Sequence, residues 1–470
     1  MSSLRRLCIA ALLVVPAAAR ANTPEDVYGA SARTIAMGGA GTALPGDYSA
    51  VHYNPAALSS CPSDLLSLDV SYISHHLTFT DEDVSRAEPL VPKRTRDQTR
   101  IMLGTCLALP VDISAGLAVG FGTPGAIRLD QQTASEQPNF VMYGENHEQL
   151  SLGLGFSWRA TRTLSIGAGF AALFKSQLPL SADLPILEPD PTDASGYRPV
   201  GFSLGIGLGA KLAARAGFLW TPSSRFRIGA TYRAPLFHDL DVDAYITAKL
   251  IIEIQAPVHV DSLGWFSPRQ FSAGASGEPV PNLTLAADVT YYRWGELRQK
   301  NSSYPFLNMY SLDPMGASGA LVFPRPIRSG WKNNLAWRGG GELRTHGDDV
   351  KIRFGGGYRT RAVNSADDSN VNLLDGPVVT ASAGVSWHAG KPGLAPGASR
   401  TRRTPDMKPR RWWRYDLPDI SFTADAFVRV DHMLEQEVDH TASAGDSVPE
   451  KHYRFGGDVL QVGAMATIGW

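Results

Sequence analysis

From Leu283 to Tyr292 the chain alternates: Leu283, Leu285, Ala287, Val289 and Tyr291 are apolar, whereas Thr284, Asp288, Thr290 and Tyr292 carry polar groups. In an extended chain successive side chains point to opposite faces, so this segment has one greasy face and one wet face. The same period recurs at Val111 to Phe121, where Ile113, Leu117 and Val119 alternate with Ser114, Gly116 and Gly120, at Leu164 to Phe170, and at Ile420 to Val428. It predicts strands near 65–74, 101–109, 111–121, 148–159, 164–174, 201–220, 225–250, 251–276, 283–294, 333–344, 350–360, 379–388, 419–430 and 459–470. Most are about ten residues long, as a tilted bilayer-crossing strand must be.

Alternation alone fits a soluble sandwich as well as a membrane barrel. Two further patterns separate them. Several segments end in an aromatic residue, at Trp158, Tyr232, Trp294, Tyr358 and Trp387, where an interfacial girdle takes amphipathic rings. The connections also differ by side: those at Pro110, Ala160 to Thr163, Thr221 to Ser224, Gly277 to Asn282 and Thr345 to Asp349 are short, and the alternate ones are long and polar. Short periplasmic turns and long external loops are the expected asymmetry of an outer-membrane barrel. One connection breaks this rule, the basic stretch 389–418 with Arg400, Arg402, Arg403, Lys408, Arg410 and Arg411, which reads as a solvated loop or as a contact to anionic lipid or a periplasmic partner. The last predicted strand ends on Trp470, resembling the assembly signal of such barrels. The predicted fold is all-β: a transmembrane antiparallel β-barrel of about fourteen strands over 61–470, with an N-terminal plug in its lumen.

Composition narrows the reading. Of 470 residues 46 are Gly and 19% are charged, and 44 basic residues nearly balance 45 acidic ones. No global field would recruit nucleic acid. Arg5 and Arg6 precede the apolar run Leu7 to Val15 and the small residues up to Ala21, so residues 1–21 read as a signal peptide cut after Ala21. No apolar run is long enough for a spanning helix, and the expected location is the bacterial outer membrane. Cys61 and Cys106 remain in the mature chain, as one disulfide or as two buried thiols.

Residues 22–60 are then left over on the periplasmic side, with enough chain to fold back into the lumen. Gly38 and Gly39 permit tight turns, Asn54-Pro55 is a turn-forming pair, and Asp47 is an acid available for contacts to the barrel. The stretch GASARTIAMGGAGTALPGDYSAVHYNPAAL (29–58) resembles the N-terminal hatch of the long-chain fatty acid transporter family of outer-membrane proteins, the FadL type, which includes channels for aromatic hydrocarbons. PNLTLAADVTYYRWGEL (281–297), RFRIGATYRAP (225–235), KIRFGGGYR (351–359) and NLLDGPVVTASAGVSW (372–387) are similar to further segments of that family, in its order. The departures are Pro45-Gly46-Asp47, where the family often has two acids, and the basic stretch after Trp387. The resemblance implies a monomeric fourteen-stranded barrel closed by the hatch, a hydrophobic ligand captured outside, and release sideways through a gap made by a kink in the third strand. Gly116, Gly120, Gly122 and Pro124 are the candidates for that lateral gate; the same small residues would equally make room for the hatch.

Lys351, Arg353 and Arg359 alternate with Ile352, Phe354 and Tyr358, so these cations face the lumen. Each is a candidate partner for a fatty acid carboxylate, or for an acid such as Asp288, Asp425 or hatch Asp47 that holds the plug. Enzyme chemistry is not expected. Gly201-Phe-Ser-Leu-Gly205 spells a nucleophile elbow but falls inside an alternating strand, where the serine is not presented on a strand-to-helix turn. The eleven His residues are scattered without metal-ligand spacing, so no metal or cofactor is expected. The preferred function is passive uptake of hydrophobic small molecules, long-chain fatty acids or aromatic hydrocarbons, through the outer-membrane lipid. The alternative is a structural barrel that scaffolds secretion or assembly machinery.

Overall fold

A computed structural model describes residues 20–21, 23–44, 46–61, 63–83, 90–92, 95–109, 111–123, 138–143, 150–175, 180–189, 197–204, 209–249, 253–297, 330–345, 349–364, 372–390, 420–440 and 451–470. Residues 1–19 of the expected signal peptide, Pro124 and 391–419 of the basic stretch lie outside them.

Fourteen strands follow the alternating segments: β1 Leu65–Asp81, β2 Gln98–Ala108, β3 Ile113–Thr123, β4 Ser151–Arg159, β5 Leu164–Lys175, β6 Gly209–Ser223 and β7 Phe226–Arg233. The second half comprises β8 Gln270–Val280, β9 Leu283–Tyr292, β10 Asn334–Thr345, β11 Val350–Arg359, β12 Val378–Ala389, β13 Ser421–His440 and β14 Lys451–Gly469. Each pairs antiparallel with the next, and β14 returns to β1, from Leu65 opposite Gly469 to Asp81 opposite Tyr453. Closure leaves no unpaired edge, the condition for strands to cross lipid. β12 ends and β13 begins at the same end of the barrel as the short turns, so the strand count holds there.

Burial follows the alternation. In β9, Thr284, Asp288 and Thr290 are buried while Leu285 and Tyr291 are exposed outward. Outward aromatic residues collect in two belts. Tyr291, Trp337 and Tyr358 form one, with the Trp337 and Tyr358 rings 6.1 Å apart; Trp158, Trp220, Trp387 and Trp470 belong to the other.

Four expectations are corrected. The segments predicted at 225–250 and 251–276 are not single strands: β7 and β8 are barrel strands, and between them Leu236–Lys249 pairs with Glu253–Ser267 as a hairpin outside the barrel sheet. Segment 201–220 likewise divides into Tyr197–Leu204, paired with Leu180–Pro189, and β6. Alternation reports that a chain is extended and says nothing about which sheet it joins. The third strand starts at Ile113, because Val111 and Asp112 have φ of 57° and 58° and belong to the turn. Trp294 is not a girdle residue. It lies past the end of β9, is 1% exposed, and stacks on Trp331 at 4.7 Å with Phe266 against its edge.

Inside the barrel, Thr23 to Cys61 is buried along nearly its whole length. It contains α1 (Pro24–Tyr28), α2 (Ala32–Ala36), α3 (Ala50–Tyr53) and a 3-10 turn over Pro55–Ser60. Its partners lie on strands all round the circumference: Arg100 on β2, Ser157 on β4, Ser165 on β5, Phe218 on β6, Asp288 on β9, Glu342 on β10 and Ser382 on β12. Irregular backbone at membrane depth needs such partners, and the inward polar face supplies them.

Candidate functional site: the filled lumen and the pocket above it

Gly38 explains how the segment fits against the wall. Its φ is +70°, and a Cβ there would stand 2.6 Å from the Gly356 carbonyl oxygen and 2.7 Å from that of Gly339. The glycine runs Gly339 to Gly341 and Gly355 to Gly357 face each other on β10 and β11, which lets the Met37-Gly38 turn press directly on the sheet. Gly39 also has positive φ, +83°. Gly38 N–H donates to Ser382 Oγ at 3.1 Å, and Ser382 Oγ donates to the Ala36 carbonyl at 3.0 Å.

Asp47 bonds within the segment, accepting from the Ser31 hydroxyl at 2.7 Å and the Ser49 N–H at 2.8 Å. The Asn54 amide donates to the Thr42 carbonyl at 2.7 Å and to the Phe218 carbonyl at 3.1 Å, while its oxygen accepts from Ala56 N–H. Pro55 opens the 3-10 turn, a position where a missing N–H costs nothing. Cys61 and Cys106 form a disulfide, tying the end of the segment to β2.

Ion pairs hold the N-terminal half. Arg33 Nε lies 2.9 Å from Glu342 Oε2, and Arg353 Nε approaches the same oxygen at 2.8 Å while its Nη1 meets Asp425. Glu25 meets Arg100 at 2.7 Å and accepts from the Ser151 hydroxyl at 2.6 Å. Asp26 meets Arg233 at 2.5 Å and Gln270 at 3.0 Å. Burial works against the charge on Glu25, but Arg100 and Ser151 outweigh it and hold the carboxyl below its usual range. Burial likewise opposes the charge of Asp26, and Arg233 and Gln270 bring its pKa down. Burial and the surrounding arginines push His52 well below the usual histidine range, leaving it neutral.

Of the gate candidates, Gly116 and Gly120 lie on the inward side of β3. A Cβ on Gly116 would meet Leu58 Cδ2 at 2.6 Å and Val51 Cγ2 at 2.7 Å, so this glycine makes room for the inner segment. Pairing of β3 with β4 runs from Ile113 to Gly120, opposite Ser151, whereas pairing with β2 runs on through Gly122 to Thr123.

Of the three cations singled out from the sequence, Lys351 and Arg353 are buried in the layer around Arg33. Arg359 lines a pocket nearer the external end and bonds to Asp375 through both Nη atoms, at 3.0 and 2.8 Å. The pocket floor is Asp26, Val27 and Gly38 of the inner segment; Met142 and Tyr143 cover it; Tyr292, Ala336, Arg338, Thr380 and Arg429 stand on its walls. Val27, Met142, Tyr143, Tyr292, Ala336 and Val378 continue into a larger apolar cluster containing Phe140, Trp294, Trp331, Tyr453 and Phe455.

Arg338 is the pocket residue that sequence reasoning missed. Its Nη1 donates to Thr290 Oγ1 at 3.0 Å and its Nη2 to the Tyr292 hydroxyl at 2.7 Å, and no ion pair to a carboxylate occurs among the described residues. Arg429 by contrast is paired with Asp431 at 2.9 Å. The inward parity of Arg338 was readable from its alternation with Trp337 and Gly339; that it hydrogen-bonds to Thr290 and Tyr292 and not to Asp288, which lies opposite it on β9, was not. Among the described residues no group of side chains has metal-ligand geometry.

The family model described as outer membrane protein transport protein (OMPP1/FadL/TodX) matches residues 13–393. No curated protein matches the chain. Solved structures similar to it include a Pseudomonas aeruginosa FadL homologue, at 17% identity and TM-score 0.52 over 97% of this chain and 99% of that one. The toluene transporter TodX of P. putida is 15% identical, with TM-score 0.52 over 95% of this chain and 99% of that one. At such identities the structures establish a common fold. The family match covers most of the chain and does not favour the scaffolding alternative. The chain therefore belongs to the OMPP1/FadL/TodX family of outer-membrane transport proteins, and is a transporter rather than an enzyme.

Proposed function

We propose that this barrel takes up long-chain fatty acids or similar amphipathic acids passively, and that Arg338 receives their head group. The supporting observation is the Arg338 guanidinium, on the wall of an apolar-lined pocket, with a hydroxyl and a phenol as partners where a carboxylate would be expected. A carboxylate in that pocket would gain a charge-assisted hydrogen bond, with Arg359 beside it, while the tail lies against Val27, Met142 and Val378. A bare aromatic hydrocarbon, the class suggested by the toluene transporter's name, would leave Arg338 unanswered.

In this reading residues 22–60 are the hatch. Ligand binding favours a state in which the N-terminal half of the hatch shifts, since a ligand moves an equilibrium only by its differential affinity for the two states. Release runs sideways past Gly116, Gly120, Gly122 and Pro124; the ladder between β3 and β4 ends after Gly120. Residues 1–21 act as a cleaved signal, the barrel works as a monomer, and 389–418 contacts lipid or a periplasmic partner. Binding of oleate and of oleyl alcohol to the purified protein tests the assignment. Oleate should bind at least tenfold more tightly at neutral pH, and Arg338→Gln should abolish the difference. Equal binding of acid and alcohol by the unsubstituted protein would favour the hydrocarbon reading.

A further inference from the structure

A second cavity lies on the other side of α1. Thr23, Glu25, Ser49 and His52 of the hatch form one side; Met102, Ala118, Gly120, Ser151, Gly153 and Arg215 of the barrel wall form the other. Arg215 is 7% exposed and lines this cavity. Its Nη1 donates to the Val51 carbonyl at 3.0 Å, and its Nε has no partner. The negative groups nearby are already engaged: Glu25 by Arg100 and Ser151, Asp26 by Arg233, Gln270 and Thr23. His52 approaches Asp26 at 3.6 Å, and its Nδ1 is likewise unpartnered. Arg100 and Arg233 thus take the direct pairs with Glu25 and Asp26, and Arg215 between them is a buried positive charge with no ion-paired acid of its own among the described residues. Buried charges are ordinarily paired, so a lone one marks a place for a ligand charge.

We propose that Arg215 is a second anion site, which takes the head group of an amphipathic carboxylate after it leaves Arg338. It rests on the proposed function, because the anion it receives is the transported acid. The two arginines flank the N-terminal half of the hatch, one pocket touching Asp26, Val27 and Gly38, the other Thr23 and Glu25. A shift of α1 would open one to the other. The wall beside Arg215 is built of the small residues Ala118, Gly120, Gly153, Ala171 and Ala172, so the same shift of α1 would also admit the first carbons of the tail.

Photolabelling of the full-length purified protein with a diazirine-bearing dodecanoic acid, read by peptide mapping, tests this. The acid should label peptides from β3 and β4 at the cavity and from β9 and β10 at the upper pocket. Arg215→Gln should reduce cavity labelling at least tenfold with upper-pocket labelling retained, and Arg215→Lys should keep both. Heat-modified gel mobility identifies folded barrels, and both variants are compared as folded protein only. Cavity labelling unchanged by Arg215→Gln, or labelling confined to the upper pocket in the unsubstituted protein, overturns the inference and leaves the proposed function standing. Equal labelling of both places by the methyl ester overturns both.

Discussion

Arg33 of the segment inside the barrel and Arg353 of the barrel wall share one carboxylate oxygen, Oε2 of Glu342, at 2.9 and 2.8 Å. All three side chains are almost wholly buried. Removing one member of a buried ion pair leaves uncompensated charge and typically costs about 3–5 kcal/mol. Glu342→Gln should therefore loosen the hatch, seen in planar bilayers as frequent openings to small ions where the unsubstituted protein is closed. Asp375→Asn, on the Arg359 pair outside this layer, should leave the closed state quiet.

Gly38 gives a second handle on the same contact. Alanine at φ +70° is strained, and its Cβ would overlap the Gly356 carbonyl. Gly38→Ala should displace the Met37-Gly38 turn from β10 and β11 and make Arg33 accessible to limited trypsin digestion. The barrel itself should keep its thermal transition.

The acid limb of the inner segment's stability follows from Glu25 and Asp26. Both carboxyls are held below their usual range in the folded protein. Their contribution is present above the ordinary carboxylate pKa of about 4 and is lost as pH falls through the depressed folded values. Channel openings in bilayers should stay rare from pH 8 to 5 and rise in the acid range below about 4. Arg100→Gln should move that rise to higher pH, because Glu25 then loses its partner.

The disulfide between Cys61 and Cys106 closes a loop between residues 45 apart in sequence. Cross-links of this length commonly contribute about 2–4 kcal/mol. Cys106→Ser should lower the unfolding temperature and expose the 3-10 turn at Pro55 to proteolysis, whereas ligand binding at Arg338 should persist.

The barrel was legible because one face of every strand meets lipid and the other meets polar hatch and wall groups, a contrast that survives in single residues such as Asp288 between Ala287 and Val289. The hairpin between β7 and β8 was misread because it carries the same period without joining the barrel. Trp294 was misplaced because a strand-end tryptophan looks the same in sequence whether it turns toward lipid or folds over the pore. Ion pairing was the least legible layer. Arg353 and Arg359 had been expected to face inward, and they do, but Glu342, Asp425 and Asp375 lie elsewhere in the chain and meet them only through strand register. Arg338 and Arg215 are conspicuous only once those pairings are known.

The central claim is transport of an acid through a hatch-filled barrel by way of Arg338. Uptake of radiolabelled oleate by cells lacking their own outer-membrane fatty acid channel, with this chain supplied, tests it most directly. The account predicts saturable uptake that falls at least tenfold in Arg338→Gln at equal surface levels of protein. Uptake no faster than in cells without the chain, or uptake indifferent to Arg338, would contradict it.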